Sequence, residues 1–309
     1  MLKVYAAEEV HAALPWQALV DALAQAFAEG ASVPLRHAHQ LGGADTLLLM
    51  PAWSANALGV KVVTVMPENA ARGVASVQAT YLLLERDSGE AIALLDGEAL
   101  TLRRTAAASA LAARYLARDD ARTLLLVGSG RLAGWMARAH VSLRPAIDRV
   151  LVWGRNAGSR EALAGTLRGE GLPAQAVSDL EAAVRGADIV TCATTAKEPV
   201  VRGAWLSPGT HLDLVGGFRR DMREVDDQAV LSAALFVDTY QGALEEAGDL
   251  TQPLAAGLIV REQVQGDLAS LVGGSVKGRR NPTQVTLFKS VGTALEDLAA
   301  AQLVAGAHR

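Results

Sequence analysis

Between residues 120 and 290 short apolar runs alternate with stretches in which apolar residues recur every three or four positions. "RTLLLVG", "RVLVWG", "AQAV", "ADIVTCAT", "THLDLVGG" and "ALFVDT" read as strands. "GRLAGWMARAHVSL", "SREALAGTLRGEG" and "DLEAAVRG" between them read as helices. Apolar runs of this length, separated by helical periodicity, predict a parallel sheet covered on both faces. Right-handed crossovers then give a Rossmann-type, doubly wound α/β fold. The first 118 or so residues follow another pattern. A helix starts at Pro15 and sets Trp16, Leu19, Leu23 and Phe27 on one face. Then come "DTLLLM", "GVKVVTVMP", "SVQATYLLLER" and "EAIALLD", the last two joined by the turn "RDSG" at Arg86 to Gly89. Strands joined by hairpins predict an antiparallel sheet in a separate α+β domain. A long helix, "EALTLRRTAAASALAARYL", leads out of it, and the tail "SVGTALEDLAAAQLVAG" is a helix that can fold back on the first domain. The expected division is residues 1–119 with 294–309 as one domain and 120–293 as a dinucleotide-binding domain, with no internal repeats and no low-complexity linker.

Composition narrows the class. The chain has 309 residues, 50% hydrophobic and 20% charged, which suits a soluble protein with two sizeable cores. No apolar run approaches the roughly 18 residues of a membrane span. Glu8, Glu9 and His11 interrupt the start where a secretory leader needs an apolar stretch, so the expected location is the cytoplasm. A net charge of -4 offers no nucleic-acid surface. The single cysteine, Cys192, excludes an internal disulfide and a cysteine-based zinc site, and its apolar frame makes it a core thiol. His37, His39 and His140 read as surface or core residues, and no spacing supports a metal site.

Candidate chemistry begins at Gly128-Ser129-Gly130-Arg131-Leu132-Ala133, a GxGxxA turn. It follows an apolar strand and opens a helix, the context in which such a turn carries a dinucleotide pyrophosphate on backbone N–H groups. The next strand, "VLVWGRN", should end in the acid that grips the ribose hydroxyls of NAD, but Gly154 stands there. With no acid to repel a 2′-phosphate, Arg155 can pair with one, and Asn156 and Arg131 can add hydrogen bonds. NADP(H) is therefore favoured over NAD(H). The plainer alternative is that Arg155 and Asn156 only begin a solvated loop and cap the next helix.

Three stretches, taken with the glycine turn, carry a resemblance over nearly the whole chain. They are "KVVTVMPENAARGVASVQATYLLLERDSGEAIALLDGEALTLRRTAAASALAARYL" from Lys61, "HLDLVGGFRRDMREVDD" with "ALFVDTYQGALEEAGDL", and "TLFKSVGTALEDLAAAQLV". The sequence resembles the ornithine cyclodeaminase/mu-crystallin family. That resemblance implies hydride transfer between a nicotinamide and the α-carbon of an amino or imino acid, and a homodimer built on the antiparallel domain. It also implies roles. Arg36 in "VPLR" matches the arginine that holds the substrate carboxylate, for which a planar guanidinium is suited. Lys61 matches a lysine that binds the carboxylate or transfers a proton, and Arg104 an arginine touching both cofactor and substrate. Ser76 falls near the nicotinamide, Val291 in "KSVG" borders it, and Thr194 lies in the loop after the fourth strand of the second domain. Val215, at the end of "LDLV", joins the cofactor-binding candidates with Gly128, Ser129, Gly130, Arg131, Leu132, Arg155 and Asn156. Each has a plainer alternative: Arg36 a surface cation, Lys61 a charge blunting an edge strand, Arg104 a partner for a helix neighbour.

In the cyclodeaminases of this family an aspartate follows the strand equivalent to "LDLVGG". Here that position is Phe218, which can neither accept a proton nor hydrogen-bond an ammonium group. The following "RRDM" resembles the mu-crystallin version. Phe218 can instead pack against an apolar or cyclic substrate, and Asp213 and Asp221 are the nearest candidates for a displaced acid. The favoured expectation is an NADPH-dependent reductase of cyclic imino acids such as pyrroline- or piperideine-2-carboxylate. The alternatives are an amino-acid cyclodeaminase or alanine-type dehydrogenase with a relocated acid, and a non-catalytic NADP-binding protein.

Overall fold

The structure, a computed structural model, describes residues 2–306, with the backbone alone for Ala70. Met1 and residues 307–309, the outer ends of the expected first domain, lie outside the described residues. The chain separates into two compact units. One takes the chain as far as Thr105 and again from Thr293; the other is Ala106–Gly292. The division falls inside α3 (Gly97–Leu116), ahead of residue 119.

In the first unit β1 (Lys3–Tyr5), α1 (Ala7–Ala12) and α2 (Trp16–Glu29) precede β2 (His37–Gly42), β3 (Asp45–Trp53), β4 (Ala57–Val65), β5 (Val77–Glu85) and β6 (Ala91–Asp96). Among the described residues they form a six-stranded sheet in the order β1-β6-β5-β4-β3-β2. It is antiparallel from β2 to β6, and β1 is added parallel to β6. The β5–β6 turn is made at "RDSG", where Gly89 takes the left-handed conformation (φ 74°). Alternation along β4 buries Ala57, Gly59, Lys61 and Val63, and α11 (Ala294–Ala305) packs over that sheet and against α2. The opposite face carries Leu49, Trp53, Leu58, Val60, Val62 and Leu82, all only half-buried.

The second unit alternates strand and helix: β7 (Thr123–Val127), α4 (Arg131–Leu143), β8 (Arg149–Trp153), α5 (Ala157–Gly169), β9 (Ala174–Ala176), α6 (Leu180–Arg185), β10 (Ile189–Cys192) and β11 (His211–Leu214). Then come α7 (Asp227–Ser232), β12 (Ala234–Val237), α8 (Tyr240–Glu246), α9 (Gly248–Ala255), β13 (Val264–Asp267), α10 (Leu268–Val272) and β14 (Thr286–Lys289). The sheet order is β13-β12-β14-β11-β10-β7-β8-β9, with every pairing parallel. This is the doubly wound fold that the apolar runs predict. Its strands are buried on both faces, and Leu125, Val127, Val190, Cys192, Leu214 and Leu287 share one core. The chain winds outward from β7 through β8 to β9, then returns to lay β10 on the other side of β7. The carboxyl ends of β7 and β10 thus form the switch point where open α/β sheets bind ligands.

Candidate functional site

In the second unit the glycine turn fills that switch point. Gly128 has φ 120°, and a Cβ there would stand 2.6 Å from the carbonyl oxygen of Ala193 beyond β10. Only glycine lets the two strand ends approach so closely. Gly130 precedes α4 without a side-chain cap, and the space where its Cβ would point is open. The first N–H groups of a 13-residue helix are therefore presented to a phosphate. A cleft of about 280 Å³ is lined by Gly128, Ser129, Gly130, Arg155, Asn156 and Thr194, among others. These residues fit a dinucleotide: a strand-to-helix turn, a bare helix start and polar groups at the end of the next strand.

Gly154 has a second reason to be glycine. A Cβ there would lie 2.7 Å from the Ser129 hydroxyl and 3.1 Å from its Cβ, so a side chain here would have to push the Ser129 side chain aside. Arg155 is exposed beside it. Asn156 caps α5, its side-chain oxygen accepting the Ser159 N–H at 2.8 Å, which leaves its amide N–H donors facing outward for a ligand. Arg131 is exposed at the first residue of α4 and Leu132 is half-buried behind it. Val215 is buried and donates its N–H to the Cys192 carbonyl, while the Val291 N–H donates to Asp238 at 2.8 Å. These last four do not line the cleft.

A buried ionic group supports the cleft from behind. Glu224 accepts hydrogen bonds from the Thr194 N–H (2.7 Å) and hydroxyl (2.8 Å), and from the N–H groups of Gly216 (2.8 Å) and Gly217 (3.2 Å). Asp249 accepts from the Glu224 N–H at 2.7 Å and pairs with Lys289 at 3.0 Å. All three charges are fully buried. Burial raises the Glu224 carboxyl against the pull of Lys289. The Gly-Gly turn presents Phe218, which is 44% exposed. Neither candidate for a displaced acid is free for such work. Asp213 is enclosed, accepting from Ser109 (2.8 Å) and Thr191 (2.6 Å) and facing His140 (3.2 Å). Asp221 is tied on the surface to Arg219 and, at 3.1 Å, to Lys197. Burial pushes the Cys192 thiol well up, as suits a core residue.

The second cluster belongs to the first unit. Lys61 is 3% exposed on β4 and Arg104 is 5% exposed on α3. Between them stands Asp297 of α11, 2.7 Å from the Lys61 Nζ and 3.0 Å from the Arg104 Nε. Arg104 also pairs with Glu296 at 2.6 Å, so its partners come from α11 and not from its own helix. Burial lowers Lys61 to about 8; Asp297 opposes the shift, while Arg104 and Arg36 add to it. Arg36, half-buried, is thus near enough for its charge to bear on Lys61. Ser76 lies at the β4–β5 connection, its hydroxyl 3.5 Å from the Pro67 carbonyl, whereas the residue paired across from Lys61 is Tyr81. Arg103 does serve structure, with its guanidinium 3.7 Å from the Trp16 ring centre and a hydrogen bond to the Leu14 carbonyl.

Sequence reasoning did not find Asp297, Glu296, Glu224, Asp249 or Lys289. A signal existed for the first two: adjacent acids in "ALEDLAAAQLV", a helix whose only other polar residue is Gln302. For the others no local pattern tells a buried ion pair from a solvated one. Among the described residues no cluster of His, Cys, Asp and Glu could hold a metal ion, and no helix is long and apolar enough to cross a membrane.

The profile of the ornithine cyclodeaminase/mu-crystallin family matches residues 2–308. A Delta(1)-pyrroline-2-carboxylate reductase of Paracoccus denitrificans is 41% identical over 296 residues, 94% of this chain and 92% of that one. The Thermococcus litoralis Delta(1)-pyrroline-2-carboxylate reductase, solved with NADH and L-proline, superposes with a TM-score of 0.93 at 35% identity, covering 99% of this chain and 97% of its own. An archaeal alanine dehydrogenase dimer with bound NAD gives a TM-score of 0.92 at 25% identity, covering 99% and 95%. With the sequence, the fold and both clusters in agreement, the chain belongs to the ornithine cyclodeaminase/mu-crystallin family.

Proposed function

We propose that this protein is a nicotinamide-dependent oxidoreductase that reduces the C=N bond of cyclic α-imino acids of the pyrroline- or piperideine-2-carboxylate type. The observation that carries the reading is the cation group Arg36, Lys61 and Arg104 in a chain that also has a dinucleotide cleft and no acid at Phe218. Relatives that cover nearly all of the chain reduce, by name, one such imine.

The Gly128–Gly130 turn and the start of α4 would hold the pyrophosphate of a reduced nicotinamide, which when bound would supply hydride for the substrate's α-carbon. The chain's own residues do the rest. Arg36 and Arg104 hold the substrate carboxylate, for which a guanidinium offers two parallel N–H donors. Lys61, buried and poised near 8, gives a proton to the imine nitrogen. Reduction of a preformed imine needs no base to strip an ammonium group, so phenylalanine at position 218 is tolerated, and its ring can face an apolar substrate ring. At the ribose end, Gly154 with the exposed Arg155 favours NADP(H), although the two solved relatives hold NADH and NAD. The half-buried apolar face of the first unit's sheet supports a homodimer, and one solved relative is a dimer.

Oxidation of NADPH and of NADH by the purified protein with piperideine- and pyrroline-2-carboxylate tests both parts. Turnover with either imine, preferring NADPH, is expected, and Arg155→Ala should weaken NADPH roughly tenfold or more while sparing NADH. Ammonia release from ornithine without imine turnover would instead point to a cyclodeaminase. Light scattering of the same sample gives the oligomeric state.

A further inference from the structure

Lys61 is surrounded by influences that would strip its proton. It is almost wholly removed from water, and Arg104 and Arg36 add like charge. From α3 it meets the Thr101 hydroxyl at 3.4 Å as well as Arg104. Opposite it on β5 stands Tyr81, fully buried, whose hydroxyl has no hydrogen-bond partner among the described residues. The carboxylate in contact with Lys61 comes from α11: Asp297, whose second oxygen takes the Arg104 Nε. Asp297 lies in the first turn of that helix, where N–H groups and the helix dipole favour an anion. Burial would raise its carboxyl, but Lys61 and Arg104 together hold it below the usual carboxylate range.

We propose that Asp297 is a positioning residue. By dividing its two oxygens between Lys61 and Arg104 it fixes the spacing of the two cations and keeps Lys61 an ammonium at working pH. The role rests on the reading of Lys61 as proton donor. In that step an Nζ–H bond breaks and an N–H bond forms on the imine nitrogen, while the carbon takes hydride from the reduced nicotinamide. Lys61 is left neutral beside a carboxylate, and the field of Asp297 draws a proton back to it from solvent. Glu296, which pairs with Arg104, holds the arginine in place from the other side.

The test reads Lys61 directly, without cofactor or substrate. Protein carrying [ε-13C]lysine is titrated by NMR; the chain has five lysines, and the Lys61 signal is assigned by its loss in Lys61→Arg. In Asp297→Asn the Lys61 signal should titrate roughly 1–3 pH units lower, the effect of losing an opposite charge in contact. In Glu296→Gln it should stay close to wild type. An unshifted Lys61 in Asp297→Asn, or an equal shift in both variants, overturns the proposal. If Asp297→Asn does not fold, Arg104→Gln gives a second reading. With the like charge gone and Asp297 no longer shared, Lys61 should titrate higher, and no rise overturns the proposal. The pH profile of imine reduction separates this inference from the one beneath it. If the NMR value falls in Asp297→Asn and the alkaline limb of kcat falls with it, both stand. If the limb stays in place, the charge role of Asp297 stands and Lys61 is not the proton donor.

Discussion

Lys61 and Arg155 show how much one side chain's surroundings decide. A lysine in water keeps its proton to about pH 10.4, but burial on β4 brings this one to about 8. A lysine can donate only as its ammonium form, so reduction should run at full rate below that pH and fall as pH rises through it. Lys61→Arg keeps the cation but removes the titration, because a guanidinium holds its proton past pH 12. The pH profile of kcat should lose its limb near 8 and the rate should drop about 10²–10⁴-fold. A limb that survives in the variant would assign the titration to another group. Arg36, Lys61 and Arg104 were singled out in the sequence through their family motifs, and the structure brings Lys61 and Arg104 onto one carboxylate. Asp297 was not, because an acid in the first turn of a helix ordinarily faces solvent.

At the scale of elements, two glycine turns make opposite demands. In the turn after β11, a Cβ at Gly216 would lie 2.2 Å from the Thr194 carbonyl and 2.3 Å from a Glu224 oxygen. The carbonyl is backbone and cannot swing aside. Gly216→Ala should therefore destabilise the protein by about 1–3 kcal/mol and push the Thr194 loop out of the cleft. At Gly130 the space is open, so Gly130→Ala should leave thermal stability nearly unchanged while weakening the nicotinamide cofactor, since a methyl group there would crowd a phosphate brought to the start of α4. Thermal unfolding beside fluorescence titration with NADPH separates the two; equal effects on stability would contradict the difference in space. The buried strands β7, β8, β10 and β11 were plain as apolar runs. Strand β2, "HAHQLG", was not, because an exposed edge strand has no buried face to imprint alternation. Strand β14, "TLFK", was not plain either, because its apolar core is only Leu287 and Phe288, flanked by Thr286 and Lys289.

For the molecule as a whole, acid sensitivity follows from the second unit's core. His211 is fully buried with its Nδ1 3.0 Å from the Thr286 hydroxyl, and burial lowers it to about 3, Asp213 opposing and His140 adding. Because the folded value lies below the unfolded 6.5, the unfolded chain gains a proton first. Stability is then complete above pH 6.5 and declines toward pH 3, by up to about 1.4 kcal/mol per pH unit. His211→Asn should flatten the loss of thermal midpoint between pH 7 and 5; an unchanged slope would place the acid sensitivity elsewhere. Periodicity and turn chemistry, read along the chain, were enough to predict the two kinds of sheet and to mark the dinucleotide turn, and the resemblance of the longer stretches pointed to the family. Each depends on residues within a few positions of one another or on a motif carried intact. Only the tertiary structure decided that β14 lies between β11 and β12, that Glu224, Asp249 and Lys289 share one enclosed site, and that Asp297 meets Arg104 across 193 residues of chain. A charge's worth depends on which surfaces close over it, and closure is a property of packed elements rather than of any stretch of sequence.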